Sequence, residues 1–408
     1  MRYASLEDAV RTASAIRRRR RLQPAGGPGD KLFPPTYPGE GSDPPRHVFE
    51  TRRIGGQNVT CVLIDSVQSQ ANRLEEALLE AAVSGRIELP RIVVDFPGSG
   101  LNSVPAISSL DAPHRIFDAI LRDSEIDGKP FRQSEVGIRL KEAKPSNATE
   151  VLELSPTALL FGAWNSTGEG GGLGAKFARA IVSEIVGIAV PVEEVSNRRT
   201  GELSMRTAGR RTGSRIDPLG IVRSVEVFKS ETDWALTAAD AGGKAKQVRP
   251  SEINHGNIAP SVQPVGVTCD YADQTAVITL AGLRRLRFSA ERDEGRDTAA
   301  RAYIAALGLV ALTEADLQGY ALRSRCDLVC EGPAPLELVA FDGSIEPVTL
   351  DRDSALALYN EALSAARKAG FTLDPKPLVL RPQEKLVELV RRSQQKALLD
   401  EGGEAETK

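Results

Sequence analysis

The glycine-rich segment STGEGGGLGAKFAR at 166–179 is the most conspicuous chemical feature of the chain. Successive backbone N–H groups ahead of a helix start form an anion site that the helix dipole reinforces, so the segment predicts a phosphate ligand. It fails as a nucleotide-triphosphate loop, because Lys176 does not directly follow a glycine and Phe177 stands where Ser or Thr would hold magnesium. Gly170, Gly172 and Ala175 fit the looser G-x-G-x-x-A dinucleotide form, with Glu193 or Glu194 near the expected ribose position. A connector that caps a helix fits the same residues.

A second set lies just after Asp65. Val67, Ala71, Leu74, Leu78 and Ala81 recur at helical spacing, which leaves Gln68, Ser69, Asn72 and Arg73 off the apolar face. Amides, a hydroxyl and a guanidinium suit sugar hydroxyls and phosphates better than proton transfer. The alternative is that Gln68 closes a capping box with Asp65 while the others are solvated. Six arginines fall within 198–215, namely Arg198, Arg199, Arg206, Arg210, Arg211 and Arg215, against the single acid Glu202, an electrostatic track for a polyanion or else a solvated face. Arg284, Arg285 and Arg287 precede Phe288 on an expected strand, where charge could sit beside stacking.

Candidates for catalysis are sparse. The chain has three histidines, His47, His114 and His255, far apart in sequence, and no Ser/His/Asp set, paired-acid motif or metal-ligand spacing can be drawn from it. No cofactor and no metal are expected. Cys61, Cys269, Cys326 and Cys330 are too scattered for a disulfide framework, and the one CxxxC has no second half for zinc, which points to a reducing cytoplasm. Among 408 residues arginine outnumbers lysine 39 to 13 while net charge is only −3. Guanidinium suits bidentate phosphate recognition and stacking on bases, although high genomic GC content gives the same bias.

The elements that must position these residues follow from composition and pattern. With 41% hydrophobic residues, mean hydropathy −0.22 and no run of about 18 consecutive apolar residues, the sequence reads as globular, without a transmembrane helix. Residues 1–58 read as an N-terminal arm, basic and then rich in proline and glycine. A strand is expected at 59–65 and a helix directly after it. Residues 85–150 look like an insertion. The apolar stretch 150–163 leads into the glycine-rich loop and then a helix burying Phe177, Ile181, Ile185 and Ile188, with a strand at 187–195. A basic second insertion spans 196–268 and holds one strand at 221–228. Further strands are expected at 276–288, 321–330 and 336–341, with a helix near 298–311. Residues 351–408 read as helices at 353–369 and 382–399 followed by an acidic tail. The class is α+β, and the residues by themselves lead to a cytoplasmic polyanion-binding protein.

Four segments in order carry a resemblance. KLFPPTYPG at 31–39, DSVQSQANRLEEALL at 65–79, SPTALLFGAWNSTGEGGGLGAKFARAIVSEIVG at 155–187 and PSEINHGNI at 250–258 together resemble the type I-U (also called I-G) CRISPR-associated RAMP protein family, the backbone subunit of its Cascade effector. The similarity runs from roughly residue 30 to 290. It implies an RRM-like, ferredoxin-like palm over 59–350, with fingers at 85–150 and a thumb at 196–268. It also implies a non-catalytic scaffold whose copies stack head to tail along guide RNA (crRNA), displace one base at intervals and leave the rest to pair with target DNA. Its implied partners are the crRNA, other copies of itself, the large subunit, the crRNA-processing and capping subunit, and a recruited helicase-nuclease, with no membrane. Carried over by position, the resemblance puts Gln68, Ser69, Asn72 and Arg73 at the RNA. It likewise puts Gly170, Gly171 and Gly172 there with Lys176 and Arg179 as phosphate partners, together with the basic Arg198, Arg199, Arg210 and Arg211 and the thumb-side Asn254 and His255. Because some RAMP relatives cut RNA, an endoribonuclease is the alternative. The glycine-rich signature usually sought near a RAMP C-terminus is not evident, and residues 290–408 fall outside the resemblance.

Overall fold

The run Arg17–Arg21, which shows no apolar alternation, forms the middle of a strand. The computed structural model describes residues 1–39, 45–165, 174–196, 203–230, 233–242, 245–289 and 291–403. After helix α1 (Tyr3–Thr12), strand β1 (Ala13–Pro24) enters the main sheet, so residues 13–24 are core sheet where an arm was expected. The period of two explains it. Ile16, Arg18 and Leu22 point to the covered face and are buried, while Arg17 and Arg19 take the other face and pair with Glu337 and Asp273, each at 2.6 Å. Five consecutive arginines conceal a strand because both faces supply carboxylates.

β2 (Phe49–Ile54) and β3 (Gln57–Asp65) form a hairpin that leads into α2 (Val67–Val83). Ser66 rather than Asp65 caps this helix, accepting from the Ser69 N–H at 3.2 Å. The next sheet strands are β4 (Ile181–Ile188) and β5 (Tyr271–Thr279), followed by α3 (Glu294–Gln318). Then come β6 (Tyr320–Arg323), β7 (Cys326–Cys330), β8 (Leu336–Ala340), β9 (Ile345–Val348) and α4 (Arg352–Lys368). The sheet runs β6-β7-β1-β5-β4-β3-β2, with β8 beside β1 and β9 beside β8, and every pair is antiparallel. Its centre is thus a strand-helix-strand-strand-helix-strand succession, β1-α2-β4-β5-α3-β7, in the spatial order β7-β1-β5-β4. The chain is α+β.

β4 corrects an expectation. Phe177, Ile181 and Ile185 are buried, but on strands, because a spacing of four satisfies a period of two as well as one of 3.6. The β-branched Ile181, Val182, Ile185, Val186 and Ile188 settle the choice. Likewise 276–288 is not one strand. β5 ends at Thr279, which caps the short helix Leu280–Leu283, and the 221–228 strand shrinks to Val227–Lys229.

α3 is buried from Asp297 to Glu314 and is capped by Asp293. Its length and composition would suffice to cross a membrane, yet 94% of its most apolar window is buried inside the protein, so it serves as a core helix. Gly308 lets it lie close to the sheet, since a Cβ there would come within 2.9 Å of Ile278 and 3.1 Å of Leu160. Residues 85–150 contribute Ile92–Val94, Ile107–Ser108, Ser124–Ile126 and Lys129–Pro130 to a smaller sheet whose central strand, Leu378–Pro382, comes from the far end of the chain.

A second compact unit takes in Glu193–Gly266 and the terminal helix Glu384–Gly403. Within it, Arg211–Arg215 pairs with Ile258–Gln263, and Val227–Lys229 lies between Trp234–Ala235 and Lys246–Val248.

Candidate nucleic-acid interface

The glycine-rich segment does not precede a helix. Ala163–Trp164 pairs antiparallel with Lys176–Phe177, and the Asn165 N–H donates to the Ala175 carbonyl at 3.0 Å, so the loop hangs from a hairpin that continues into β4. A helix-dipole anion site and a dinucleotide fingerprint both need a helix after the loop, and here a strand follows it. Gly170, Gly171 and Gly172 lie outside the described residues, as do Arg198 and Arg199.

At the hairpin root, Trp164 and Lys176 are cross-strand neighbours. The Lys176 Nζ sits 5.7 Å from the indole centroid, and Trp164 is 49% exposed. An exposed indole with a cation over it offers a base a stacking face and a phosphate a counter-charge. Sequence reasoning passed over Trp164. The available signal was its place two residues ahead of the loop, as one of two tryptophans in a chain with 5% aromatic residues.

Arg179 ties this hairpin to α2. Its Nε donates to the Phe161 carbonyl at 3.1 Å and its Nη1 to the Val67 carbonyl at 3.3 Å. Burial, and then the nearby Arg115, lower its pKa from the ordinary arginine value. Arg115 forms a two-pronged pair with Glu75, at 2.6 and 2.7 Å, and donates to the Gly162 carbonyl at 3.0 Å. Burial pushes the Glu75 carboxyl up, and Arg115 opposes that shift. Gly162 is needed here, with φ +82° and the Arg179 backbone nitrogen 3.0 Å from where a Cβ would stand. Arg179 is thus a clamp holding the loop root against the first turn of α2. On that helix Gln68 and Asn72 are exposed and Ser69 is half-buried.

Arg73 turns inward. It donates to Asp65 Oδ2 at 3.0 Å and to the Leu322 carbonyl at 2.8 Å, closing a polar chain beneath the helices. In that chain Asp316 accepts from Arg18 and Arg20, each at 2.6 Å, and Arg20 also donates to the Tyr320 hydroxyl. The Tyr320 hydroxyl donates to Gln274, Gln274 to Gln70, and Gln70 to Asp65. Burial, then Asp316, pushes Tyr320 up to about 12. These groups fix the sheet to its helices, and Arg73 belongs with them.

Arg284, Arg285 and Arg287 follow a helix instead of lying on a strand. Arg284 donates to the Val10 and Ala13 carbonyls and Arg287 to Asp297, and Phe288 is fully buried and offers no stacking face, whereas the Arg284 guanidinium lies 5.0 Å from the ring centroid of the exposed Phe341. In the second unit Arg210 pairs with Glu193 at 3.0 Å and Arg211 donates to Gln263 at 2.6 Å. Asn254 is exposed with φ +63°, and His255 meets Trp234 edge to face at 5.9 Å. Among the described residues no three or more His, Cys, Asp or Glu side chains gather into a group that could hold a metal.

Residues 16–192 match the family model described as CRISPR-associated protein GSU0053. This segment holds most of β1, then β2, β3, α2 and β4, with the clamp and the loop root, and its likeness is to a CRISPR-associated family. No curated protein matches the chain.

Proposed function

We propose that this chain is a non-catalytic, crRNA-binding backbone subunit of a type I-U (I-G) CRISPR effector complex, acting in the cytoplasm. The observation that carries the reading is the clamp. One guanidinium holds the root of a glycine-rich loop, with Trp164 and Lys176 exposed on it, against the helix turn that presents Gln68 and Asn72. Stacking, one cation, amides and backbone N–H groups suit a single strand bound without regard to sequence. Base pairing then does the reading, as in a different CRISPR effector.

The central succession and its β7-β1-β5-β4 order support an RRM-like palm. Ile216, Leu219, Val222, Leu236 and Val262 are exposed apolar side chains of the second unit, and they support contact with another copy or with the large and crRNA-processing subunits. Target DNA joins through the crRNA, and the helicase-nuclease is recruited afterwards.

The test is co-expression with a CRISPR array, with and without the partner subunits. Absorbance at 260 and 280 nm, RNase treatment and sequencing of bound RNA then read the result. Protected guide RNA in a large particle is expected. An RNA-free monomer in the presence of all partners would overturn the reading, and RNA loss prevented by a chelator would favour an endoribonuclease.

A further inference from the structure

A cavity of about 310 Å³ lies where α2 and the last turn of α3 meet β1, β5 and β6, and no residue of the loop root lines it. Its wall is built from the polar chain beneath the helices, with Arg18, Gln70, Arg73, Gln274, Asp316 and Tyr320 all facing it. The charges in that chain do not balance. Arg18 and Arg20 both turn their forks on Asp316 and Arg73 pairs with Asp65, so three guanidiniums share two carboxylates. The side chains of Arg18 and Arg20 are only 5% and 13% exposed, and each keeps a buried Nε–H with no partner. A positive charge withdrawn from water is costly unless an anion answers it.

The hydrogen-bonding capacity left over on the wall has the same sign. Both Asp316 oxygens accept from both guanidiniums, the Tyr320 hydroxyl accepts from Arg20, and the carbonyl oxygens of Gln274 and Gln70 accept from Tyr320 and from Ser183 and Gln274. Donors remain. Gln70 and Gln274 each spend one of two amide N–H groups, and Arg73 uses Nε and Nη2, which leaves Nη1. Asp65 Oδ1 also lacks a partner, but Asp65 is not part of the wall. The one carboxylate on the wall without a guanidinium partner is that of Glu76, which is exposed. We propose that this cavity binds a small oxyanion, the phosphate or carboxylate group of a free small molecule, with Arg73 and the two amides as its donors. The volume far exceeds the roughly 10–15 Å³ that admits one water and stands at the lower end of the roughly 300–1,000 Å³ of small-molecule sites. The site is separate from the loop root and does not depend on whether the chain binds RNA.

The test titrates the full chain with inorganic phosphate in a calorimeter, at an ionic strength held constant with chloride. Saturable binding is expected, with a Kd of about 1 mM or tighter. Arg73→Gln should weaken it about tenfold or more, the loss of one charge-assisted hydrogen bond. That variant also strips the buried Asp65 of its cation, so two exposed positions on the wall carry the test if it unfolds. Ala321→Glu adds a carboxylate without removing packing and should weaken phosphate binding about tenfold, whereas Glu76→Gln removes one and should tighten it about two- to fivefold. Heats of dilution alone at every phosphate concentration would overturn the proposal and leave the cavity to water. Saturable binding with an affinity unchanged in all three variants would overturn it by placing the anion elsewhere. Stoichiometric displacement of the phosphate by guide RNA would overturn it too, since the group bound there would then be a backbone phosphate of the RNA.

Discussion

Replacing Trp164 by alanine and, separately, Lys176 by glutamine divides stacking from charge at one spot, because the two side chains share it. The indole is 49% exposed and the ammonium lies 5.7 Å from its centroid, so neither change opens a buried cavity. One lost phosphate contact on a single strand lowers the salt slope by about 0.7. Over a fourfold rise in salt, Lys176→Gln should therefore lose about 2.6-fold less affinity than the wild type does. Trp164→Ala should weaken binding about 5- to 150-fold at every salt concentration and leave that slope unchanged. Anisotropy titrations of one guide RNA at 50, 100 and 200 mM salt read both quantities. Affinity within twofold of wild type for Trp164→Ala, together with an unchanged slope for Lys176→Gln, would refute the assignment of the loop root to RNA.

Arg179→Ala strips two carbonyls of a charged donor, and it should cost about 2–3 kcal/mol of stability in urea unfolding while leaving the salt slope unchanged. A flattened slope would make Arg179 a phosphate ligand after all. Asp316→Asn leaves Arg18 and Arg20 without their carboxylate; with side chains only 5% and 13% exposed, the expected loss is about 3–5 kcal/mol in the same assay. His47 is buried beside the Pro35 carbonyl, and burial lowers its pKa below the unfolded value of about 6.5. The unfolded chain then binds more protons just below that pH, so the His47 contribution is complete above about pH 6.5 and lost as pH falls towards the folded pKa. His47→Asn should shrink the difference in unfolding midpoint between pH 7.5 and 5.5, and an undiminished difference would show that other groups cause it.

Much of the scaffold was legible where one periodicity was unambiguous. β3, α2 and α4 show a clean apolar stripe or run, and they stand within two residues of expectation. β1 was hidden because its partners, Glu337, Asp316 and Asp273, lie more than 250 residues away, and local reading sees only five like charges. β4 was misread because Phe177, Ile181 and Ile185 satisfy both periods, and that error made the loop look like a helix-borne phosphate cradle. At the site, Gln68 and Asn72 are exposed as expected. Arg73 and Arg179 also hold contacts that local reading cannot supply, a buried carboxylate for one and two carbonyls for the other.

The arginine excess takes on a different meaning once those partners are known. Arg17, Arg18, Arg19, Arg20, Arg52, Arg73, Arg86, Arg115, Arg287, Arg301 and Arg352 all pair with carboxylates. Most of these pairs join segments far apart in sequence. The rigid fork of guanidinium suits such pairs better than an ammonium does, so a large share of the bias serves the fold instead of a polyanion. If the proposed function holds, a net charge of −3 leaves each copy few phosphate contacts, and one copy alone should hold RNA weakly and with a shallow salt slope. On that proposal, tight binding comes from several copies engaging one strand, where each added copy binds as a tethered neighbour at high effective concentration. Affinity should therefore rise steeply with RNA length until each copy has its stretch of backbone. A single copy that binds a short oligonucleotide as tightly as a long guide would contradict that partition of charge.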